Sequence, residues 1–451
     1  MVKYSSSRNR PVVTADGQGV ANHVGALLLL EMADWSGITD GFSRVMKSTR
    51  QRRSVHDPGT VLRHLAVTIA DGGDCVTDLS MLRGQESLFG PVASDVTAWR
   101  TVAKRAPSHL AGLRETRARA RERAWNCGAA PKGRLTVDFD STLVDSHSDK
   151  EWAAGTYKHG FGFHPIVAYV DVSGQSSPEP LAGILRRGDA SPAEASDHLD
   201  LLKEVQAQLP EAWRSKECPK LARSDSGGAS HDFVNALGKA GFQFSIGLPI
   251  QAWVRKAIFA VPESEWVPAL DQDGEERDGA EVCELRTLNL ASWPEGTRAI
   301  CRRERAHPGA QLRLWEGGRG IRHQVFITDQ TDTDVAVLEA RHRCRARIED
   351  GIRCAKATGL TNFPSTFAAF NHVWLELLLT GQCLMAWTQR LCLSGEARIW
   401  EPKRLRQCLF HVAARVVRTG RRTIIRLQQD WPWSHELARA FTRLRALPSG
   451  T

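Results

Sequence analysis

From Gly133 the chain alternates between apolar and polar positions. In RLTVDFD, Leu135, Val137 and Phe139 fall on one side and Asp138 and Asp140 on the other, predicting a half-buried strand. HPIVAYVD, His164 to Asp171, and PLAGILRRG, Pro180 to Gly188, predict two more. Ser191-Pro192-Ala193-Glu194 has the form of a capping box with proline at the first helical position, opening a helix to about Leu209. KLARSD predicts a buried strand ending at Asp225, then a helix through Phe233 to Ala240 and a strand, FQFSIGL. Three strands followed by strand-helix alternation indicate a mixed α/β sheet.

The flanks read differently. Residues 1–130 are predicted helical, with helices over Ala21–Ala33, Thr60–Ala70 and DVTAWRTVAKR, the last capped by Ser94 or Asp95. Leu110 to Trp125 is a very basic helix that reads as either a DNA contact or a solvated connector. Over 251–332 the rhythm changes to short β-like pieces, VCELRTLNL, TRAICRRE, LRLWE and HQVFITD, between turn-rich DQDGEERDG and EGGRG. This predicts a β-rich insertion dividing the sheet domain into 131–250 and 333–395. Helix resumes near Val335 and continues into a basic C-terminal region, 396–451, where Arg404, Arg406, Arg415, Arg418, Arg421, Arg422 and Arg426 crowd together. Val373 to Trp387 is apolar but carries Glu376 and Gln382, so it predicts a buried helix and no membrane span.

Composition narrows the field. With 60 Lys and Arg against 51 Asp and Glu, the net charge is +9, which favours a polyanionic partner. The ten cysteines include no C-x-x-C pair, which argues against a zinc ribbon and for reduced thiols in a cytoplasmic protein. MVKYSSSRNRPVV has basic residues without an apolar stretch behind them, so no signal peptide is expected.

The candidate chemistry lies in carboxylates. Asp140 ends the first strand, in DFDST, and Asp225 ends the fourth, in RSDSGG. A carboxylate in an apolar sheet needs a cation, a hydrogen-bond network or solvent, although a single aspartate there also serves as a turn cap. Downstream, His342, Arg345, Glu349 and Lys356 are spaced three, seven and fourteen residues from the first, which returns them to one helical face. Charges on every side of RHRCRARIEDGIRCAK leave a plain solvated helix open as well.

The spacing H-x2-R-x3-E-x6-K resembles the Tyr-Arg-Glu-Lys signature of bacterial insertion-sequence transposases. VDFDSTLVDSHSDKEWAAGTYKHGFGFHPIVAYVD and LARSDSGG are similar to the first- and second-aspartate regions of the family called transposase DDE domain group 1. PKRLRQCLFHVAARVVRTGRRTIIRL with the later WPW resembles the family's ending. His342 stands in place of the signature's tyrosine, and Ser224 in place of the usual alanine. Asp138 competes with Asp140 for the first carboxylate; Asp140 is preferred because it directly precedes Ser141-Thr142.

The resemblance implies a ribonuclease H-like core with a β-rich insertion and helical flanks. It implies Asp140, Asp225 and Glu349 as ligands of two Mg²⁺ ions, with Mn²⁺ as a substitute. The reaction implied is cleavage of transposon-end inverted-repeat DNA and joining of the 3′-hydroxyl to target DNA. A homodimer in the synaptic complex and a bacterial, nucleoid-associated location are expected with it. His342, Arg345 and Lys356 are expected on phosphates, and Arg100 and Lys104 on DNA from the N-terminal region. Relatives with this signature and such an insertion can cleave through a DNA hairpin, for which a flipped base needs an aromatic platform. Trp293 and Trp315 are candidates, and both also suit a small β core. A ribonuclease H-like nuclease without strand transfer, and a domesticated DNA-binding relative, are the alternatives.

Overall fold

A computed structural model describes residues 13–172, 179–306, 312–317 and 320–448, so most of MVKYSSSRNRPVV and part of EGGRG lie outside the described residues. The principal helices are α1 (Ala26–Ser36), α2 (Pro58–Ala70), α3 (Leu110–Ala124), α4 (Ala195–Gln208), α5 (His231–Lys239), α6 (Val335–Arg343), α7 (Ala346–Ala355) and α8 (Ala368–Cys392). The central sheet is built from β1 (Leu135–Ser141), β2 (Ile166–Asp171), β3 (Glu179–Ile184), β4 (Lys220–Ser224), β5 (Gln243–Leu248), β6 (Val267–Leu270), β7 (Glu276–Glu284), β8 (Arg298–Arg305) and β9 (Ile321–Thr328).

Nine strands pair in the order β6-β7-β8-β9-β5-β4-β1-β2-β3. β1, β4 and β5 run parallel, while β2 and β3 are antiparallel on one side. On the other side β9 pairs antiparallel with β5, and β8, β7 and β6 follow as a meander. The β-rich stretch therefore extends the main sheet instead of folding on a sheet of its own. One of its predicted strands, LRLWE, contains a short helix at Leu314–Gly317.

β1 departs from the expected half-buried strand, because Asp138 is as buried as Val137 and Phe139. Helices cover both faces of the sheet here. Phe139 meets Phe233 of α5 edge-on at 5.3 Å, and α7 packs over β1 and β2. The expected capping box is also absent. Ser191 Oγ accepts from the N–H of Ala193 at 3.2 Å, closing a small turn, and α4 begins only at Ala195. A short side chain that satisfies its own backbone competes with the helix start.

The basic helix α3 is a structural staple in its middle. Arg117 and Arg121 are buried. Arg117 pairs with Glu376 of α8 through both terminal oxygens, at 2.5 and 3.2 Å. Arg121 donates to Glu179 at 2.7 Å, to the side chain of Gln208 at 2.7 Å and to the carbonyl of Pro180 at 2.7 Å. Glu179 collects Trp125, Trp387 and Arg390 as well, at 3.0, 3.0 and 2.6 Å. α8, buried along nearly all its length, is the axis on which α3 and β3 meet. Among the described residues no helix is long and apolar enough to cross a membrane.

The C-terminal region, expected to be helical, contains a β-ribbon formed by β10 (Ala414–Thr419) and β11 (Arg422–Leu427). Val416, Val417, Thr419, Thr423, Ile424 and Ile425 are β-branched and favour strands. Gly420 takes a φ of 56°, which suits the first position of a two-residue turn between paired strands. Val20–Ala21 adds a short third strand beside β10.

Candidate active site

Parallel pairing decides where the two aspartates lie. Phe139 of β1 is in register with Ser224 of β4, so the carboxyl ends of both strands leave the sheet side by side. Asp140 is near the end of the first, and Asp225 directly follows the second. The Asp225 side chain accepts from the N–H of Gly227 at 2.9 Å. A side chain at Gly227 would crowd that carboxylate and the carbonyl of Pro192, which explains the glycine of SDSGG. Gly247 of β5 is held close to the backbone of Asp225 and Ser226 in the same way.

Asp138 and Asp140 share a strand face but have different work. Asp138 is buried and forms a two-pronged pair with Arg223, both bonds 2.7 Å. Arg223 also donates to Asp171 at 2.6 Å and to the carbonyl of Arg341 at 2.8 Å. Asp138 is thereby occupied in holding β1, β2, β4 and α6 together. Asp140 is turned towards the carboxylates: its side chain accepts from its neighbour's N–H, that of Ser141, at 2.8 Å and lies 3.4 Å from Arg345. Burial, and next the charge of Asp225, push its carboxyl up to about 6, with Glu349 adding to the rise and Arg345 opposing it. Such mutual repulsion is relieved by a cation.

This division of labour is testable. Asp138→Ala leaves Arg223 with a buried, partly unpaired charge and is expected to cost about 3–5 kcal/mol in urea unfolding. Asp140→Asn removes a charge that burial and Asp225 disfavour, and is expected to leave stability unchanged or raise it. Equal destabilisation by the two changes would contradict the assignment.

The downstream residues do not form the single stripe that their spacing predicts. α6 ends at Arg343 and α7 starts at Ala346. The cause is Arg223: it takes the carbonyl of Arg341, which a continuous helix would give to the N–H of Arg345, and that N–H bonds His342 instead at 2.9 Å. Glu349 sits in the first turn of α7, with its oxygen 3.5 Å from Arg345. Arg345 thus stands between Asp140 and Glu349 without a short bond to either.

His342 faces the same cleft. It stacks on Phe326 at 4.2 Å and 6°, and its Nδ1 is 2.9 Å from the hydroxyl of Ser245. Burial, and then the nearby charges of Arg345, Arg223 and Arg302, press its pKa down to about 3. The ring is therefore neutral at physiological pH and carries one N–H. Lys356 is placed elsewhere. It lies beyond α7, where its ammonium donates to the carbonyl of Leu143 at 3.0 Å and borders a separate hollow with Asp145 and Lys150.

The cleft has a volume of ≈ 490 Å³ and is bordered by Asp225, His342, Arg345 and Glu349. Arg302 and Arg322, from the strands that continue the sheet, also border it. Sequence reasoning missed these arginines, although TRAICRRE and the IRH of β9 carry them openly. It also missed His164, whose Nδ1–H donates to the carbonyl of Ala190 at 2.9 Å. Its Nε2 then accepts from the hydroxyl of Ser141 at 2.9 Å, bracing the residue beside Asp140.

Trp293 and Trp315 do not border this cleft. Trp293 packs 4.1 Å from His231, and Trp315 lies between Phe259 and His323, at 5.4 and 4.9 Å. Arg100 and Lys104 are exposed, one turn apart, on the N-terminal region. The ten cysteines are free thiols.

All three carboxylates offer hard oxygens of the kind divalent magnesium or manganese takes. Among the described residues, the groups with ligand atoms within 4.8 Å of one another are His23, Asp71 and His411, and Asp74, Cys75 and Asp78. Asp140, Asp225 and Glu349 are more widely spread, so they do not make a closed cage for one ion.

Acidic and cationic side chains thus face one cleft. The chain belongs to the family transposase DDE domain group 1, whose model matches residues 4–449. No curated protein matches it in sequence. Among solved structures it is similar to piggyBac transposase in a synaptic complex with hairpin DNA, at 10% identity and a TM-score of 0.43, covering 88% of this chain and 82% of that one.

Proposed function

We propose that this chain binds the ends of an insertion sequence, cleaves them and joins the freed 3′-hydroxyl to target DNA. The observation that carries this reading is the meeting of Asp140 and Asp225 on adjacent parallel strand ends, with Glu349 on α7 close enough to raise the carboxyl of Asp140. The order β3-β2-β1-β4-β5, antiparallel and then parallel, supports a ribonuclease H-like core. On that reading the core spans 131–250 and 333–395, the insertion 251–332, and the flanks 1–130 and 396–451.

Asp140, Asp225 and Glu349 would hold two Mg²⁺ ions. Bound there, such ions supply an activated attacking oxygen and a stabilised leaving oxygen for in-line displacement at phosphorus. The protein's own groups do the positioning. Arg345 offers a forked contact to the phosphate beside the carboxylates. His342, neutral, can donate one hydrogen bond without adding charge. His164 and Ser141 keep the turn after Asp140 fixed. Lys356 would meet the DNA farther along its backbone, and Arg100 and Lys104 would meet it from the N-terminal region. Trp293 and Trp315, packed against His231 and against Phe259 and His323, would have to move with the insertion to reach a flipped base in the cleft. A homodimer would bring two ends together.

The test uses linear DNA carrying the flanking terminal repeats. Cleavage at the repeat boundary is expected with Mg²⁺ or Mn²⁺ and is expected to vanish in EDTA. Boundary cleavage that persists in EDTA would remove the carboxylates from the chemistry.

A further inference from the structure

The β-ribbon formed by β10 and β11 is amphipathic in an unusual sense. One face, Ala414, Val416, Ile425 and Leu427, packs on Ala21, Val24 and Leu88 of the N-terminal region. Strand alternation places Arg415, Val417 and Thr419 on the other face, opposite Arg426, Ile424 and Arg422 respectively. Arg418 and Arg421 complete the tip, and all five arginines are exposed. Arg415 and Arg426 stand directly across from one another, an arrangement in which like charges repel.

Among the described residues none of the five forms an ion pair with an acidic side chain. Some other exposed arginines are paired, Arg119 with Glu115, Arg353 with Glu401 and Arg445 with Glu31. β11 is also an edge strand, leaving part of its backbone available for donation. Strands of six residues span roughly 20 Å, and a two-stranded ribbon fits the major groove of a DNA duplex.

We propose that this ribbon binds duplex DNA, with Arg415, Arg422 and Arg426 set against phosphates along one face. The proposal rests on the transposase reading and adds a DNA-contacting element outside the cleft. Repulsion between Arg415 and Arg426, uncompensated in the free protein, is relieved when phosphates lie over the pair.

The test uses the full chain, in EDTA, with a 30-bp duplex of arbitrary sequence followed by fluorescence anisotropy between 50 and 200 mM salt. The triple variant R415Q/R422Q/R426Q is expected to bind at least about tenfold more weakly. Its slope of log K against log salt is expected to fall by about 0.9 for each phosphate that the ribbon no longer neutralises. Restoring charge with R415K/R422K/R426K is expected to recover most of the affinity. R119Q/R187Q/R353Q removes the same charge elsewhere and is expected to bind as the parent does. Unchanged binding by the ribbon variant, or an equal loss in the control, would overturn the proposal. So would a ribbon variant that keeps duplex affinity but loses binding to single-stranded RNA or to anionic vesicles. Because equilibrium binding to a duplex of arbitrary sequence requires no cleavage, these outcomes are independent of whether the carboxylates are catalytic.

Discussion

Glu179→Ala is expected to unfold the protein or reduce its stability by about 3–5 kcal/mol, the cost of stranding buried partners of a removed charge. Glu179 sits at the start of β3 with no solvent exposure and accepts from Arg121, Arg390, Trp125 and Trp387. Burial alone would raise its carboxyl, yet Arg390, Arg121 and Trp125 hold it below its ordinary value. A depressed folded-state pKa contributes stability that is present above the unfolded value and is lost as the pH falls through the folded one. Urea unfolding of the parent should therefore show a loss on acidification below about pH 4, a loss that is smaller in Glu179→Gln. An alanine variant as stable as the parent would mean that α3, β3 and α8 are not joined through this carboxylate.

The order of strands in the first half was legible because apolar positions recur with period two and glycine- or proline-bearing turns separate them. Asp225 was legible for the same reason, standing where KLARS stops being apolar. What periodicity could not show was the tertiary use of charge. Arg117 and Arg121 look like members of a solvated stripe in LRETRARARERA, and only the packing against Glu376 and Glu179 reveals that they are buried. Nor does spacing reveal that Arg223 removes the carbonyl of Arg341 from its helix, which breaks the run from His342 to Lys356 into separate pieces. The same guanidinium distinguishes Asp138 from Asp140, two residues that the sequence places on one face. The C-terminal ribbon was hidden by its arginines, which suit a helix as well as a strand, although the β-branched residues between them favour the strand.

Asp140→Asn, Asp225→Asn and Glu349→Gln are each expected to reduce end cleavage by about 10³-fold or more. That magnitude follows from the several kcal/mol of transition-state stabilisation a metal centre supplies, at tenfold for each 1.36 kcal/mol. Stability should change little, since Asp140 and Asp225 accept mainly from neighbouring backbone N–H groups and Glu349 is exposed. DNA affinity in EDTA should also be retained, because the substitutions remove negative charge from the cleft or, at Asp140, beside it. A stable, DNA-binding variant that still cleaves would show that the substituted carboxylate is not part of the reacting centre.

The most direct test of strand transfer by these carboxylates starts from a pre-cleaved end. A duplex ending in the terminal repeat with a free 3′-hydroxyl is incubated with supercoiled target DNA, Mg²⁺ and either the parent protein or Asp225→Asn. Covalent joining of the 3′ end to the target is expected from the parent, and none above background from the variant. Efficient cleavage of uncut ends by the parent without any joining, or joining by Asp225→Asn at the parent's rate, would contradict a transposase centred on Asp140, Asp225 and Glu349.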